Sequence, residues 1–299
     1  MPLNDLPYAR AGYFAGGTGP TTGRIDKIFF PADTKSTLTT TLTQVRANTA
    51  GFANSGIAGY VAGGNSPDFS SIEKLAFPAE TISTLSATLT TAKNALFAMA
   101  NSGVAGYPAG GYDSNYSNVI DKITFPADTK STLSATLNTA GIHSAGFANV
   151  GVAGYFAGGD ANTTNTSAII KITFSADTKT TLSATLTGAL QSAAGFADSG
   201  VAGYVAGGGT PRVDRIDKIA FPSDTKSTLS AVLTVALFSP EGMADTGVAG
   251  YAGGGSNGAG TQLTSIDKLA FPSETKSTLS ATLTSGLDGV SAFADCGVF

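Results

Sequence analysis

The sequence has little of the chemistry on which enzymes and metal sites most often rely. It contains one cysteine, Cys296, which excludes an internal disulfide, and one histidine, His143, which excludes the usual histidine and cysteine ligand sets for zinc. Tryptophan is absent, and charged residues make up only 13% of the 299 residues. The net charge of -4 disfavours a nucleic-acid partner, because such partners select a basic surface. We therefore expect a protein that is not an enzyme and that uses no metal and no cofactor.

Long apolar runs are missing as well. No stretch of about 18 or more apolar residues occurs, so we expect no membrane span. Residues 1–5 lack the positive region followed by an apolar run that is typical of a secretory signal peptide. The expectation is a soluble chain made without such a signal.

A repeated segment, Gly-Tyr-x-Ala-Gly-Gly or a close variant of it, dominates what is present. Its tyrosines recur at steps of 47, 47, 48, 49 and 47 residues, namely Tyr13, Tyr60, Tyr107, Tyr155, Tyr204 and Tyr251. A fixed period of this size is the signature of a repeat architecture, in which each unit is one small supersecondary element. We interpret the six tyrosines as structural residues of the repeat.

Each repeat contains the pattern of four short strands, which we name a, b, c and d. In the second repeat we predict strand a at 48–54, b at 57–62, c at 71–77 and d at 84–90, separated by turns rich in glycine, proline and asparagine. No segment has a helical period of useful length. Four antiparallel strands in about 47 residues are typical of a propeller blade. The sequence therefore predicts one all-β domain over 1–299, a six-bladed β-propeller with its Gly- and Ala-rich strands innermost.

The two ends of the chain indicate how the ring closes. The C-terminal segment 291–297 has the pattern of a strand a and its turn, whereas residues 10–15 have that of a strand b. We predict that the last strand completes the first blade, because closure removes exposed sheet edges. The alternative is an open solenoid, which would need polar capping repeats.

Comparison of the six repeats separates two kinds of connection. The a–b turns and c–d turns are nearly constant, whereas the b–c and d–a loops differ in sequence and length. Because strands in a blade alternate in direction, the b–c and d–a loops lie on one face of the disc, called the variable face, and the turns lie on the other, the turn face. Candidate binding residues on the variable face are Arg46, Phe69, Tyr112, Asp113, Asn115, Tyr116, Asp160, Asn162, Arg212 and Arg215. Aromatic, amide and charged groups of this kind suit a sugar or a protein patch; the alternative is that these loops drift freely and bind nothing.

Isolated reactive residues have a structural explanation in the repeat. His143 stands at the start of a strand a without the nucleophile and acid that catalysis needs, and Cys296 occupies a turn position held elsewhere by Ser55. The Gly-rich segments lack the Gly-Lys-Ser/Thr ending of a phosphate loop, and 160–165 lacks the acid-rich spacing of calcium loops. Acids recur beside lysines in strand c, and we expect structural hydrogen bonds or ion pairs there: Asp26, Glu73, Asp121, Asp217 and Asp267, with Ile170 in the fourth repeat.

Three segments point to a resemblance. Residues 12–17 read Gly-Tyr-Phe-Ala-Gly-Gly, residues 120–125 Ile-Asp-Lys-Ile-Thr-Phe, and residues 132–137 Thr-Leu-Ser-Ala-Thr-Leu. The first resembles the kelch repeat, although the tryptophan of kelch strand d is replaced by Leu85 and its equivalents. The three together resemble kelch-like propeller proteins of tailed phages, especially cyanophages.

This resemblance implies a virion component, such as part of a tail fibre or a particle decoration. The partners expected are other virion proteins or a host surface glycan, with no nucleic acid. The alternative is a stand-alone carbohydrate-binding propeller lectin. A glycan-cleaving propeller would need acids, arginines and a tyrosine around the axis, and the inner strands are poor in these.

Overall fold

The structure, a computed structural model, describes residues 10–65, 67–161 and 164–296, and every regular element in these ranges is a β-strand. Twenty-four of the strands form six four-stranded antiparallel sheets that surround one axis as blades. The described residues thus form a six-bladed β-propeller, as the sequence predicts.

Each blade runs from strand a at the axis to strand d at the rim. Blade 1 contains β26 (Ser291–Ala294), β1 (Ala11–Ala15), β2 (Ile25–Phe29) and β3 (Thr34–Thr37); blade 2 contains β4 (Ala50–Asn54), β5 (Ala58–Ala62), β6 (Ser71–Ala76) and β7 (Thr81–Thr88); blade 3 contains β8 (Asn94–Asn101), β9 (Ala105–Tyr112), β10 (Asp121–Thr124) and β11 (Thr129–Thr132). Blade 4 contains β12 (Ala145–Asn149), β13 (Ala153–Ala157), β16 (Ile169–Thr173) and β17 (Thr178–Thr181); blade 5 contains β18 (Ala194–Asp198), β19 (Ala202–Ala206), β20 (Val213–Ala220) and β21 (Thr225–Leu237); blade 6 contains β22 (Glu241–Asp245), β23 (Ala249–Gly253), β24 (Ile266–Ala270) and β25 (Thr275–Thr278). A small hairpin of β14 (Asp160–Ala161) and β15 (Thr164–Asn165) stands apart from the blades.

The predicted position of strand d in blade 2 is wrong by a few residues. The strand begins at Thr81 rather than at residue 84, because Glu80 adopts a left-handed conformation with φ 54° and ends the c–d turn at once. Thr81 can therefore pair directly with Ala76.

The two ends of the described chain meet in one sheet. Strand β26 pairs antiparallel with β1, with Phe293 opposite Tyr13 and Ala292 opposite Phe14. This register completes blade 1 and closes the ring, so the open solenoid is excluded.

The inner strands approach one another so closely that four of them contain glycine at the contact. A Cβ built on Gly146 would lie 1.8 Å from the carbonyl oxygen of Ala98 in the preceding blade, and one on Gly195 would lie 2.3 Å from that of Gly146. Gly51 and Gly242 have the same relation to their preceding blades. The small residues of strand a are therefore a steric requirement of the axis.

Aromatic side chains fill the space between blades. Phe52 lies against Gly106 of the next blade, where a Cβ would come within 2.1 Å of its ring. The ring of Tyr60 stacks on Phe52 at 5.0 Å and on Phe125 of the next blade at 5.1 Å. Phe52, Tyr60 and Phe125 thus belong to one apolar core between neighbouring blades.

A second contact, which we name the Tyr–acid–Lys clasp, joins every blade to the next. In the second blade, the Tyr60 hydroxyl donates to Asp128 Oδ1 at 2.8 Å, and Lys74 Nζ lies 2.6 Å from Asp128 Oδ2. The acid belongs to the c–d turn of the following blade. The ring closes when Tyr251 and Lys268 of blade 6 reach Asp33 of blade 1. The repeat pattern predicts a structural role for these tyrosines but does not identify their partners, which are Glu80, Asp128, Asp177, Asp224, Glu274 and Asp33.

The strand-c acids make a third contact, which we name the Thr–acid clasp, with the preceding blade. Asp217 accepts from the amide and the hydroxyl of Thr187 at 2.8 and 2.6 Å. Burial raises the pKa of Asp217, but hydrogen bonds from Thr187 and Thr228 and the charge of Lys226 outweigh it, so the pKa lies below its ordinary value. Asp26, Glu73, Asp121 and Asp267 occupy the same position and also bind a threonine of the preceding blade.

Substitution of a contact glycine tests the axial packing. We expect Gly146→Ala to lower the free energy of unfolding by at least about 2 kcal/mol, because the added methyl forces the neighbouring backbone apart. Urea unfolding followed by circular dichroism measures the change. Gly258→Ala is the matched control, since a Cβ there meets nothing within 4 Å; equal stability of the two variants would contradict this account.

Removal of one carboxylate tests the Thr–acid clasp. The pKa of Asp217 is lower in the folded state than in the unfolded state. The carboxylate therefore contributes fully to the free energy of unfolding above its unfolded-state pKa, and this contribution is lost as the pH falls through its folded-state pKa. We expect Asp217→Asn to cost about 1–3 kcal/mol at neutral pH, with the gap to wild type narrowing in acid. Thermal unfolding across pH, with the exposed Asp214→Asn as control, measures this. A gap that stays constant down to about pH 3 would count against the clasp.

Candidate functional site

The loops predicted to share a face do so. The d–a and b–c loops are joined by isolated backbone bridges, among them Ala47 with Asn65, Ile142 with Asp160, and Phe238 with Ser256. The variable face is therefore a continuous surface in which each blade's b–c loop touches a neighbouring d–a loop.

Arg46 is not the exposed donor that its loop position predicts. Its side chain is 1% exposed, and Nη2 lies 2.7 Å from Glu73 Oε1 while Nη1 donates to the carbonyl of Gly63 at 3.0 Å. The ring of Phe69 covers its guanidinium at 4.4 Å. Burial lowers the pKa of Arg46, and the charge of Glu73 opposes that effect. Arg46 and Phe69 thus join blades 1 and 2.

The two other arginines on this face also link loops. Arg212 Nε donates to the carbonyl of Ser256 at 3.1 Å, and its guanidinium lies 5.5 Å from the ring of Phe238. Arg215 Nη2 donates to the carbonyl of Gly188 at 3.3 Å, and Nε lies 3.7 Å from Asp217. Both are only partly exposed, so much of their hydrogen-bonding capacity is already engaged.

The b–c loop of blade 3 offers the most accessible of the candidate side chains. Tyr112 is 40% exposed, and its ring packs edge-on against Tyr116 at 5.4 Å. Asp113 Oδ1 accepts from the amide of Asn115 and thereby shapes the tip of this loop. A shallow depression of about 530 Å³ lies beside the loop, lined by both tyrosines, Asn115 and Thr139.

A deeper cavity of about 370 Å³ adjoins that depression between blades 3 and 4. Asp160 lines it, and Asp160 Oδ1 is buried without a hydrogen-bond partner among the described residues. Thr139 borders both the cavity and the depression, so the two are adjacent. Asn162, the remaining candidate, lies outside the described residues.

Sequence reasoning missed the residues that create this cavity. Gly141 and Ile170 line it, and each stands where the other repeats have a different kind of side chain. The signal was visible in the fourth repeat, which lacks the strand-c acid. By itself, however, that substitution indicates only that the acid is replaceable.

The turn face has its own exposed feature. Four β-branched residues at the a–b turns are each about half exposed, namely Ile57, Val104, Val152 and Val201. Behind them, hydrogen bonds connect successive turns: the amide of Gly103 donates to Asn54 Oδ1 and that of Gly151 donates to Asn101 Oδ1. This face is therefore uniform and tied together, in contrast to the variable face.

Of the two isolated reactive residues, Cys296 is buried, and His143 is partly buried and lines the small axial cavity. Burial lowers the pKa of His143, against a hydrogen bond with Gln191 and the charge of Asp160, and its Nδ1 has no hydrogen-bond partner in the described ranges. Burial and two nearby carboxylates raise the pKa of the Cys296 thiol, whose Sγ lies 3.4 Å from Asp245 Oδ1. Neither residue is presented at the variable face as an accessible nucleophile or base.

A small cavity of about 40 Å³ lies on the axis and contains one carboxyl group, that of Glu241. Alanine occupies the equivalent position in blades 2, 4 and 5, at residues 50, 145 and 194. Glu241 is partly accessible from this cavity and has no hydrogen-bond or ion-pair partner among the described residues. Burial therefore raises its pKa to about 8.

The comparisons with known proteins identify no relative: no protein-family model and no curated protein sequence matches this chain. The described ranges hold no cluster of three or more histidine, cysteine, aspartate or glutamate side chains suited to a metal ion. They also contain no helix of the length and apolarity that crossing a membrane requires. The class defined by the fold is the six-bladed β-propeller.

The unpartnered carboxyl of Glu241 makes stability depend on pH. In the folded protein the pKa of Glu241 is about 8, above its ordinary value of 4.5. The contribution of Glu241 to the free energy of unfolding is therefore fully present below the unfolded-state pKa and is lost as the pH rises through the folded-state pKa. We expect Glu241→Gln to be more stable than wild type at about pH 9 and to differ much less at about pH 4. Urea unfolding at both pH values, with Asp214→Asn as control, measures this. An identical pH dependence in variant and wild type would refute it.

Proposed function

We propose that the protein is a non-enzymatic interaction module that binds its partner through the variable face. The observation on which this proposal rests is the tyrosine pair of blade 3, the exposed Tyr112 and the partly exposed Tyr116, beside the shallow depression. Aromatic side chains with free polar neighbours are enriched in binding surfaces, because they bury much area with little loss of conformational entropy. Elsewhere on the variable face, Arg212 and Arg215 link the loops of blades 4, 5 and 6.

The particular role that we propose is that of a virion component, in a tail fibre or a particle decoration. Support comes from the three repeated segments that resemble kelch-like propellers of tailed phages. The partner would be another virion protein or a host surface glycan. A rigid closed ring suits this role, since it presents loops without depending on a cofactor.

A stand-alone lectin is the second candidate, and the cavity beside Asp160 favours it. Such a protein would bind sugar saturably as a free chain, without other particle proteins. A glycan array tests for that binding, and detection of the chain in purified particles distinguishes a virion component from a stand-alone lectin.

Detection in purified particles tests the virion proposal. We expect mass spectrometry and immunogold electron microscopy of the source phage to find this chain in intact virions, and its absence would refute that role.

The binding face is tested with variants of the purified chain. We expect saturable binding to host cells or to particles lacking this protein, weakened about tenfold or more by Tyr112→Ser together with Tyr116→Ser, because interface aromatics contribute most to affinity. Val152→Ser on the turn face is the matched control and should bind as wild type does. Loss of binding in the control but not in the tyrosine variant would assign the partner to the turn face instead.

A further inference from the structure

The boundary between blades 3 and 4 departs from the other five in one residue of the d–a loop. At each boundary the carbonyl of one loop residue accepts from the amide of the second glycine of the Gly-Gly pair, which makes the six positions equivalent. These residues are Arg46, Lys93, Gly141, Leu190, Leu237 and Leu287. Gly141 is the one residue of the six that places no side chain between the two blades at this position. Arg46 and Lys93 are fully buried where Gly141 has no side chain.

The same boundary also lacks the Thr–acid clasp. Ile170 stands where Asp121 and Asp217 stand in their blades, and Asn138 stands where they find Thr90 and Thr187. Asn138 Nδ2 instead donates a hydrogen bond to Thr181 Oγ1 at 2.7 Å. At this one boundary, Asn138, Gly141 and Ile170 therefore all differ from the residues that the other repeats have at the same positions.

The cavity of about 370 Å³ is the result, and its walls are of two kinds. Phe97, Leu137 and Ile170 provide apolar surface, and Phe97 is itself held edge-on against Phe156 at 5.0 Å. Asn138, Asp160, Thr166 and neighbouring hydroxyl-bearing residues provide hydrogen-bonding groups. A concave site of this size with an apolar wall and a few convergent polar groups is typical of small-ligand sites.

The polar groups select the kind of ligand. No lysine or arginine is among the described residues that line the cavity, and Asp160 supplies a carboxylate to its wall. An anion would be repelled by Asp160, and a purely apolar ligand would leave the polar groups that line the cavity without hydrogen-bond partners from the ligand. A ring that has hydroxyl donors on its edge and C–H groups on its face satisfies both walls.

We propose that this cavity binds one pyranose ring of a neutral glycan, with Asp160 accepting hydrogen bonds from its hydroxyls. The inference rests on the proposed function, in that it assumes the variable face to be the binding face, and it names the ligand class. Since Thr139 joins the cavity to the depression beside Tyr112 and Tyr116, the next sugar of a chain lies against those rings. Aromatic rings suit the C–H face of a sugar.

The repeat itself supplies a variant that fills the cavity. Asn138→Thr, Gly141→Lys and Ile170→Asp together recreate the boundary between blades 2 and 3, where Thr90, Lys93 and Asp121 stand. This triple variant should fold, which its thermal unfolding will establish. Ala168→Arg is an independent filling variant, because Arg24 and Arg215 occupy the equivalent position in blades 1 and 5.

Binding is measured by saturation-transfer NMR and calorimetry with the methyl glycosides of glucose, galactose, mannose and N-acetylglucosamine, and with methyl sialoside as an anionic comparator. We expect at least one neutral glycoside to bind the wild-type chain more tightly than the sialoside does. Either filling variant should weaken this binding at least about tenfold, as should Asp160→Asn, because a hydrogen bond to a charged group is lost. Asp214→Asn, which removes an exposed carboxylate on strand β20 of blade 5, should leave it unchanged.

Three outcomes would overturn the proposal: no neutral glycoside binds, the sialoside binds most tightly, or binding survives in both filling variants. These failures differ from failure of the proposed function. A chain that binds cells or particles through Tyr112 and Tyr116, yet binds no neutral glycoside, retains the variable face as its binding face and loses only the sugar assignment.

Discussion

The antiparallel pairing of β26 with β1 is the interaction on which the rest of the structure depends. It joins the first and last described strands in one sheet and thereby gives each blade two neighbours. Without it, the Tyr251 hydroxyl and Lys268 would lack Asp33, and the clasps would end in two open edges rather than a ring. Closure also sets the narrow axis, where glycine is the residue that allows one inner strand to touch the next.

The two faces of the disc use polar groups for opposite purposes. On the turn face, tyrosines, lysines and acids pair between blades, and burial with the adjacent carboxylate raises the pKa of Tyr60 and Tyr155 far above the ordinary value. Those hydroxyls therefore remain protonated donors at any physiological pH. On the variable face the arginines are occupied in holding loops, whereas the tyrosine pair of blade 3 remains available. The recognition that we propose therefore uses the variable face.

The boundary between blades 3 and 4 differs from the other five in the residues that close it. Five boundaries are closed by a buried acid and a threonine, and the remaining one replaces these with Ile170 and Asn138 and omits the side chain at Gly141. This boundary therefore lacks the Thr–acid clasp that the other five have. A closed ring can tolerate this loss because its other boundaries hold the blades in place. The gain is a cavity with both apolar and polar walls beside an aromatic pair.

The sequence by itself determined the number of blades, the order of their strands and the closing of the ring. These follow from local patterns: a period of about 47 residues, small residues where inner strands meet, and a strand a at one end matched to a strand b at the other. It also placed the variable loops on one face, since strand direction alternates. Predicted strand ends were less accurate, because the left-handed turn residue Glu80 cannot be recognised from composition.

Only the tertiary structure decided which loop residues are free to bind. Arg46 looks like an exposed loop arginine, yet Glu73 and Phe69 enclose it because they come from elements folded against it from another part of the chain. In the same way, Gly141 lacks a side chain and Ile170 replaces the strand-c acid, and only the fold shows that the two residues line the same cavity. Contacts between blades join residues that are distant in sequence, and no local pattern records which of them meet.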